Sequence, residues 1–88
     1  MNYTIYIIQS EITGRYYCGQ TCDLEDRLAR HNNGESKSTK SGRPWNPIWT
    51  AEVATRSEAV RLESHIKKRG IRRFLEENEY FHNGTSNL

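Results

Sequence analysis

An arginine and a histidine stand four residues apart in a segment with the pattern of a short helix. At about 100° per residue, Arg27 and His31 share one helical face, beside the apolar seam that Leu24 and Leu28 form. Side chains of these types can bind anions and transfer protons. The plainer interpretation is that His31, close to the end of a helix, only complements the negative end of the helix dipole.

A glutamate occupies a core-facing position in a second predicted helix. Glu63 falls within the apolar stripe of Ala59, Leu62 and Ile66. A carboxylate on the core side of a helix is costly unless it is paired or binds a cation. Glu63 therefore extends out to solvent, pairs with an arginine such as Arg27, or takes part in chemistry.

Two tyrosines lie on predicted strands. Tyr6 belongs to residues 3–8, which are rich in β-branched and aromatic residues, and Tyr17 belongs to residues 15–19. Because side chains alternate along a strand, both tyrosines can lie on one face of a hairpin, although aromatic packing alone would explain them. Together with the arginine, the histidine and the glutamate, they form a constellation aimed at one side of the core, which is harder to attribute to chance.

The first half of the chain reads as a hairpin, a helix and a third strand. Gly14 suits the turn of the hairpin. Thr21 or Asp23 can cap the first helix, and the sequence NNG at 32–34 ends it. Residues 45–53 then predict a third strand.

The second half reads as two helices. Thr55 and Glu58 form a capping box at the start of the second helix, and Gly70 marks its end. A short third helix is expected at 71–78. Before them, residues 34–44 contain no apolar side chain, and a polar loop of this length is either functional or disordered.

The chain is long enough for one small core only. Its 88 residues predict a single domain at 1–78, followed by a flexible tail at 79–88. The charge is nearly balanced, with 13 Lys and Arg against 11 Asp and Glu, but two basic segments, 37–43 and 67–73, contain no acid. Such segments either attract polyanions or are solvated surfaces.

Other classes of protein are disfavoured. No apolar run approaches the ~18 residues that a membrane span needs, and the first residues lack the pattern of a signal peptide. Cys18 and Cys22 have no second pair with which to form a zinc site. We therefore expect a cytoplasmic protein with two reduced thiols and no membrane partner.

Four blocks of the sequence, in order and spacing, resemble the GIY-YIG nuclease domain family, especially its small stand-alone bacterial members. The blocks are TIYII, YYCG, DLEDRLARHNNG and TRSEAVRLESHIKKRG, and the resemblance runs from about Tyr3 to Leu75. Thr4 replaces the first glycine of the family pattern, and Cys18 is the middle residue of the second motif. Any single block would be weak evidence, but the ordered set is specific.

The resemblance implies an α+β fold, in which a small three-stranded antiparallel sheet is flanked by helices in the order β-β-α-β-α-α. It also implies a catalytic face that carries Tyr6, Tyr17, Arg27, His31 and Glu63. Glu63 would hold one divalent ion, Mg2+ or Mn2+, because hard cations prefer carboxylate oxygens. Because Glu63 would be a single protein ligand, oxygen atoms of the scissile phosphate would have to complete the coordination of the ion.

The resemblance gives the remaining residues roles in phosphodiester hydrolysis. Arg27 would bind the non-bridging phosphate oxygens. Tyr6 would activate water, either as a phenolate or through a hydrogen-bond relay, although its free pKa of ~10 makes it a poor base. Tyr17 would orient water or phosphate, and His31 would assist Tyr6 or bind phosphate. The division of roles among these three residues stays open.

The leading hypothesis is a metal-dependent DNA endonuclease of low sequence specificity with a role in DNA repair or processing. Its DNA could be branched, nicked or single-stranded, and a protein partner could guide it there. The phosphates flanking the cleavage site would contact Lys37, Lys40, Arg43, Lys67, Lys68, Arg72 and Arg73. One alternative is a nucleic-acid-binding module with this fold and little or no cleavage activity, and a weaker one is a structural domain of a larger assembly.

Overall fold

A computed structural model describes residues 2–78. Its elements are β1 (Tyr3–Ser10), β2 (Tyr16–Thr21), α1 (Leu24–Asn32), a single 3-10 turn (Lys40–Gly42), β3 (Trp45–Val53), α2 (Arg56–Arg69) and α3 (Ile71–Glu77). The strands form one antiparallel sheet in the order β2-β1-β3, so the predicted α+β fold is confirmed. The predicted tail at 79–88 lies outside the described residues. Within them, no helix combines the length and the apolar character that a membrane crossing requires.

The β1–β2 hairpin fixes the position of the two tyrosines. Tyr6 pairs with Gly19, and Ile8 pairs with Tyr17, so both tyrosines lie on one face of the sheet as predicted. The second strand begins one residue later and ends two residues later than the predicted 15–19. Arg15 belongs to the turn, where its carbonyl accepts a hydrogen bond from the backbone N–H of Ser10.

The sheet separates two apolar clusters, one on each face. The first contains Ile5, Ile7, Cys18, Ala59, Ile66, Phe74 and Leu75. The second contains Tyr6, Ile8 and Trp45, with Tyr17, Leu24 and Leu28 packed against them. Because side chains alternate along a strand, α2 and α3 cover one face and α1 covers the other. Side chains of α1 and α2 can therefore meet only around an edge of the sheet.

Local signals in the sequence set the ends of the helices. The Asp23 side chain caps α1 by accepting a hydrogen bond from the Asp26 backbone N–H at 3.1 Å. The predicted capping box of Thr55 and Glu58 is present at the start of α2. Gly70, with a φ of 97°, separates α2 from α3, a positive φ that glycine adopts without strain.

The polar loop before β3 folds back on the sheet, so it is not disordered. Thr39 is fully buried, and the Trp45 indole N–H donates to its carbonyl at 2.7 Å. The hydroxyl of Ser10 donates to the Gly42 carbonyl at 2.6 Å. A Cβ on Gly42 would lie 2.6 Å from the Trp45 ring, so the loop needs glycine there to pack this closely. The loop thereby forms a wall beside the end of α1.

Candidate functional site

Three buried side chains form a hydrogen-bonded chain between β1, α1 and the polar loop. The Tyr6 hydroxyl lies 2.9 Å from Nε2 of His31, and Nδ1 of the same ring lies 2.8 Å from Oγ1 of Thr39. The exposed fractions of the three residues are 0%, 1% and 0%. The sequence predicted the pair of tyrosine and histidine but missed Thr39, because nothing in a polar loop marks which hydroxyl becomes buried.

A strand glycine makes room for the Tyr6 hydroxyl. Gly19 lies opposite Tyr6, and a Cβ built on it would lie 2.6 Å from the hydroxyl oxygen and 2.8 Å from Cζ. A glycine within a strand often marks such a close approach, which is the signal that could have identified it. The tyrosine ring therefore lies directly over the glycine backbone.

A cleft opens beside this buried chain. It has a volume of about 200 Å³ and is lined by Tyr17, Arg27, Arg30, His31, Glu35 and Ser36. The ring of Tyr17 lies 5.0 Å from the ring of His31 and 6.4 Å from that of Tyr6. Arg27 is exposed, contrary to its expected position at the border of the core. Four of the five predicted catalytic side chains thus meet on the face that α1 covers.

The electrostatics keep the buried tyrosine and histidine uncharged at neutral pH. The pKa of Tyr6 is raised to about 12, first by burial and then by Tyr17, although the Arg27 guanidinium beside the hydroxyl acts in the opposite direction. Burial lowers the pKa of His31, and the positive charge of Arg27 lowers it further. The free protein therefore holds a neutral phenol against a neutral imidazole.

Glu63 lies on the other face of the sheet, so the expectation that all five residues point to one side of the core is wrong. Its helix, α2, packs on the face opposite Tyr6, and Oε1 accepts a hydrogen bond from Nε2 of Gln20 at 2.9 Å. Glu63 forms an ion pair with Lys67, whose Nζ lies 2.7 Å from Oε2, and not with Arg27, one of the alternatives that the sequence left open.

The edge of β2 brings Glu63 to the other residues. Because β2 is an outer strand, a side chain that reaches Gln20 lies at the rim of the sheet. The pKa of Tyr6 is raised chiefly by burial and also, to a smaller extent, by the negative charge of Glu63, while the hydrogen bond with Glu63 raises the pKa of Lys67. The glutamate is thus close enough to Tyr6 to act on it across this edge.

The donor chemistry of Glu63 fits a single divalent cation. Its side chain is 19% exposed, Gln20 orients one oxygen, and the Lys67 ammonium shows that the other oxygen accommodates a positive charge. Within residues 2–78, no three His, Cys, Asp or Glu side chains are grouped as a metal site. A cation here would have one protein ligand, and substrate oxygens would complete its coordination.

The predicted phosphate-binding cations occupy different environments. Lys37, Lys40 and Arg43 are exposed on the polar loop, and the Arg43 Nε–H donates to the Lys40 carbonyl at 2.9 Å. Arg72 lies on α3, where Nε is 3.6 Å from a carboxylate oxygen of Glu76. Lys68 and Arg73 are exposed. All of the seven predicted cations are thus at the surface, although Lys67 and Arg72 are partly neutralised.

Known proteins are similar to this chain in sequence and in fold. A UPF0213 protein of Staphylococcus saprophyticus is 39% identical over 64 residues, which cover 72% of this chain and 77% of that one. A UPF0213 protein of Halobacterium salinarum is 37% identical over 65 residues, or 73% and 83% of the two chains. The solution NMR structure of the UPF0213 protein BH0048 from Bacillus halodurans superposes with a TM-score of 0.58 and 29% identity, covering 96% of this chain and 88% of that one.

The family assignment follows from a match that spans nearly all of the described residues. The model of the GIY-YIG catalytic domain matches residues 2–74, which include every element from β1 to most of α3. Nucleases of this family act on DNA and generally use divalent metal ions. The chain therefore belongs to the GIY-YIG catalytic domain family, and this membership implies a nuclease.

Proposed function

We propose that this protein is a metal-dependent DNA endonuclease that hydrolyses phosphodiester bonds with low sequence specificity and acts in DNA repair or processing. The observation that supports this best is the buried chain of Tyr6, His31 and Thr39, which lies beneath a cleft bordered by Arg27. Such a chain can move a proton away from a reacting water molecule.

The donors around Tyr6 set the direction of its hydrogen bond. Arg27, which lies beside the hydroxyl, can only donate, so it interacts with the tyrosine oxygen. The hydroxyl proton is then directed to Nε2 of His31. Nδ1 of the same neutral ring must carry the other proton, which it donates to Oγ1 of Thr39. Thr39 thereby selects the tautomer in which Nε2 can accept.

This arrangement favours the relay over a free phenolate. With a pKa of about 12, Tyr6 is protonated in the free protein and cannot act as a preformed base. It can take a proton from water while passing its own proton to Nε2 of His31, so that Tyr6 stays neutral, His31 becomes the imidazolium and the water is left as hydroxide. Because His31 is neutral, it is ready to accept that proton.

Arg27 controls access to the tyrosine in this proposal. Tyr6 is fully covered, whereas Arg27 is exposed beside its hydroxyl. When the guanidinium binds the non-bridging oxygens of a phosphate, it offsets the charge that develops there and leaves the hydroxyl open to water. Tyr17, half-buried in the cleft, orients the water or the phosphate.

Glu63, at the edge of the sheet formed by β2, is the residue that would hold a cation. Glu63 would hold a Mg2+ or Mn2+ ion, which supplies Lewis-acid stabilisation of the developing charge and the leaving oxygen when it is bound. Gln20 keeps one carboxylate oxygen oriented, and Lys67 has to release the other. This competition with Lys67 is the observation that favours the alternative, a DNA-binding module with little cleavage activity.

A cleavage assay on labelled single-stranded, nicked, flapped and branched DNA, with and without Mg2+, tests the proposal. We expect Glu63→Gln and Tyr6→Phe to lose at least about 100-fold in rate, since each removes a group that acts directly in the reaction. Tyr17→Phe tests whether the half-buried tyrosine carries the role instead. Glu52→Gln, an exposed change on β3 at the opposite edge of the sheet, is the control.

Three results would contradict the proposal in different ways. Cleavage by Glu63→Gln at the wild-type rate would remove the metal assignment. Full activity in Tyr6→Phe with loss in Tyr17→Phe would move the water-activating role to Tyr17. Binding of DNA without cleavage of any of these substrates would establish the alternative, the binding module.

A further inference from the structure

Three adjoining clefts follow β2 from one face of the sheet to the other. The first is the cleft beside Tyr17 and Arg27 described above. The second, of about 160 Å³, shares Tyr17 with it and extends along Tyr16 to Arg15 at the hairpin turn. The third, of about 490 Å³, shares Arg15 and Tyr16 with the second and is completed by Lys67, Ile71 and Arg72. The shared residues make the three clefts one continuous path.

The lining of this path combines positive charge with aromatic and apolar surface. Its cations come from α1, the hairpin turn, α2 and α3; they are Arg15, Arg27, Arg30, Lys67 and Arg72. Among the residues that line the clefts, Glu35 is the one acid. Tyr16 and Ile71 add apolar surface in the third cleft. This combination of cations and aromatic rings is typical of surfaces that bind nucleic acid without reading its sequence.

We propose that a single-stranded segment of DNA lies along this path, with the backbone on the arginines and an unpaired base against Tyr16. The inference rests on the proposed nuclease function and narrows its substrate to DNA with unpaired nucleotides beside the cleavage site. It also assigns a binding role to two residues outside the basic segments, Arg15 and Tyr16.

The size and shape of the clefts favour an unpaired strand over a duplex. Tyr17 borders both the first and the second cleft, and Tyr16 borders both the second and the third, so a ligand that fills all three has to place separate groups along the two tyrosines. Successive nucleotides of one strand can do this. The bases of a duplex are stacked on each other and offer no free face to a tyrosine ring.

The path also crosses the candidate catalytic residues. It begins at Arg27 and His31, passes Tyr17, and ends beside Lys67, which forms the ion pair with Glu63. A strand that runs from the first cleft to the third therefore passes Tyr17 and reaches the lysine that is paired with the carboxylate. Arg56 and Arg61, two exposed arginines of α2 outside the basic segments, line none of these clefts, which makes them matched controls.

The test is a fluorescence-anisotropy titration in EDTA, with labelled 12-nucleotide oligothymidine and a labelled 12-base-pair duplex as probes. We expect the wild type to bind the single strand more tightly. Arg15→Ala with Arg72→Ala should weaken that binding and flatten its salt slope by about 0.7 for each lost contact, whereas Arg56→Ala with Arg61→Ala should change it little. Tyr16→Ile should weaken it by about 5-fold or more, and Tyr16→Phe should retain it, because only the first removes the ring.

The variants distinguish a loss of DNA binding from a loss of folding. Tyr16 packs partly against the core, so circular dichroism must show that Tyr16→Ile is folded, and the two exposed arginines give an independent readout if it is not. Tighter binding of the duplex, or an equal loss of single-strand binding in the control with Arg56→Ala and Arg61→Ala, would overturn the inference. Because no cleavage is needed, single-strand binding without nuclease activity would sustain it and refute the proposed function. Cleavage of duplex DNA at a rate that does not change when Tyr16 or Arg15 is substituted would support the proposed function and refute this inference.

Discussion

Gly19→Ala adds a single methyl group, which should displace Tyr6 in the candidate site. The added Cβ would lie 2.6 Å from the Tyr6 hydroxyl oxygen, about 0.8 Å short of the 3.4 Å at which ordinary van der Waals contact begins. The next atoms, Cζ and Cε2, would lie at 2.8 and 3.2 Å, so the whole edge of the ring has to shift. Since Tyr6 is fully buried, its ring cannot move out into solvent. The shift therefore pulls the hydroxyl from its 2.9 Å contact with Nε2 of His31.

The expected cost of this substitution is about 1–3 kcal/mol of unfolding free energy, the usual range for overpacking a core. A domain of this length has roughly 5–13 kcal/mol in total, so the variant should stay folded at 25 °C with a Tm lower by roughly 5–20 °C. Thermal unfolding and single-turnover cleavage measure the two effects. The cleavage rate should fall by much more than the unfolded fraction of the protein explains, because the relay through His31 is broken.

Gly14→Ala in the same hairpin is the matched control. Gly14 has a φ of 78°, and nothing lies within 4 Å of its added Cβ, so the variant loses about 1–2 kcal/mol through backbone strain without touching Tyr6. Its folded fraction should cleave normally. Tyr6→Phe should restore part of the stability of Gly19→Ala, because it removes the atom in closest contact. Wild-type Tm and activity in Gly19→Ala, or equal loss of cleavage in both glycine variants, would refute the steric reasoning.

Two further predictions follow from the buried chain. Thr39→Val should lower the cleavage rate by about 10-fold or more and shift the 15N resonances of His31 toward the tautomer protonated at Nε2, while Thr39→Ser retains both, because only valine removes the acceptor for Nδ1. An unchanged His31 spectrum in Thr39→Val would contradict this role. The lowered pKa of His31 means that the unfolded chain binds more protons just below pH 6.5, so urea denaturation should show stability that is full above that pH and falls as the medium is acidified. His31→Gln should lose this part of the pH dependence, and an identical dependence in both proteins would show that other groups cause it.

Several features of this protein were readable in the sequence because they depend on local chemistry. Alternation along β1 and β2 placed Tyr6 and Tyr17 on one face, since their register needs only a tight turn. The capping box of Thr55 and Glu58 fixed the start of α2 because its hydrogen bonds join residues three positions apart. The four ordered blocks were sufficient to predict the fold, and the fold is confirmed.

The order of the strands decided how the candidate site is assembled. Helical periodicity put Glu63 on an apolar stripe but could not say which face of the sheet that stripe covers. The order β2-β1-β3 makes β2 an edge, so Glu63 approaches the tyrosines from the opposite face and contacts Gln20 rather than Arg27. Its ion pair with Lys67, four residues on in α2, is local and does not depend on the sheet. A periodic pattern identifies which face of a helix or strand is apolar. The face of the sheet against which a helix packs depends instead on the path of the chain over the sheet.

Contacts between distant segments decided the rest. Thr39 is buried because Trp45 holds the polar loop against α1, and the seven residues between His31 and Thr39 carry no periodic pattern that would signal this. The hydroxyl becomes the partner of His31 only after the loop closes. The sequence by itself thus determined which side chains are available and which strand or helix carries them. Tertiary packing alone decided which of them touch, because burial and hydrogen bonding depend on neighbours that are remote along the chain.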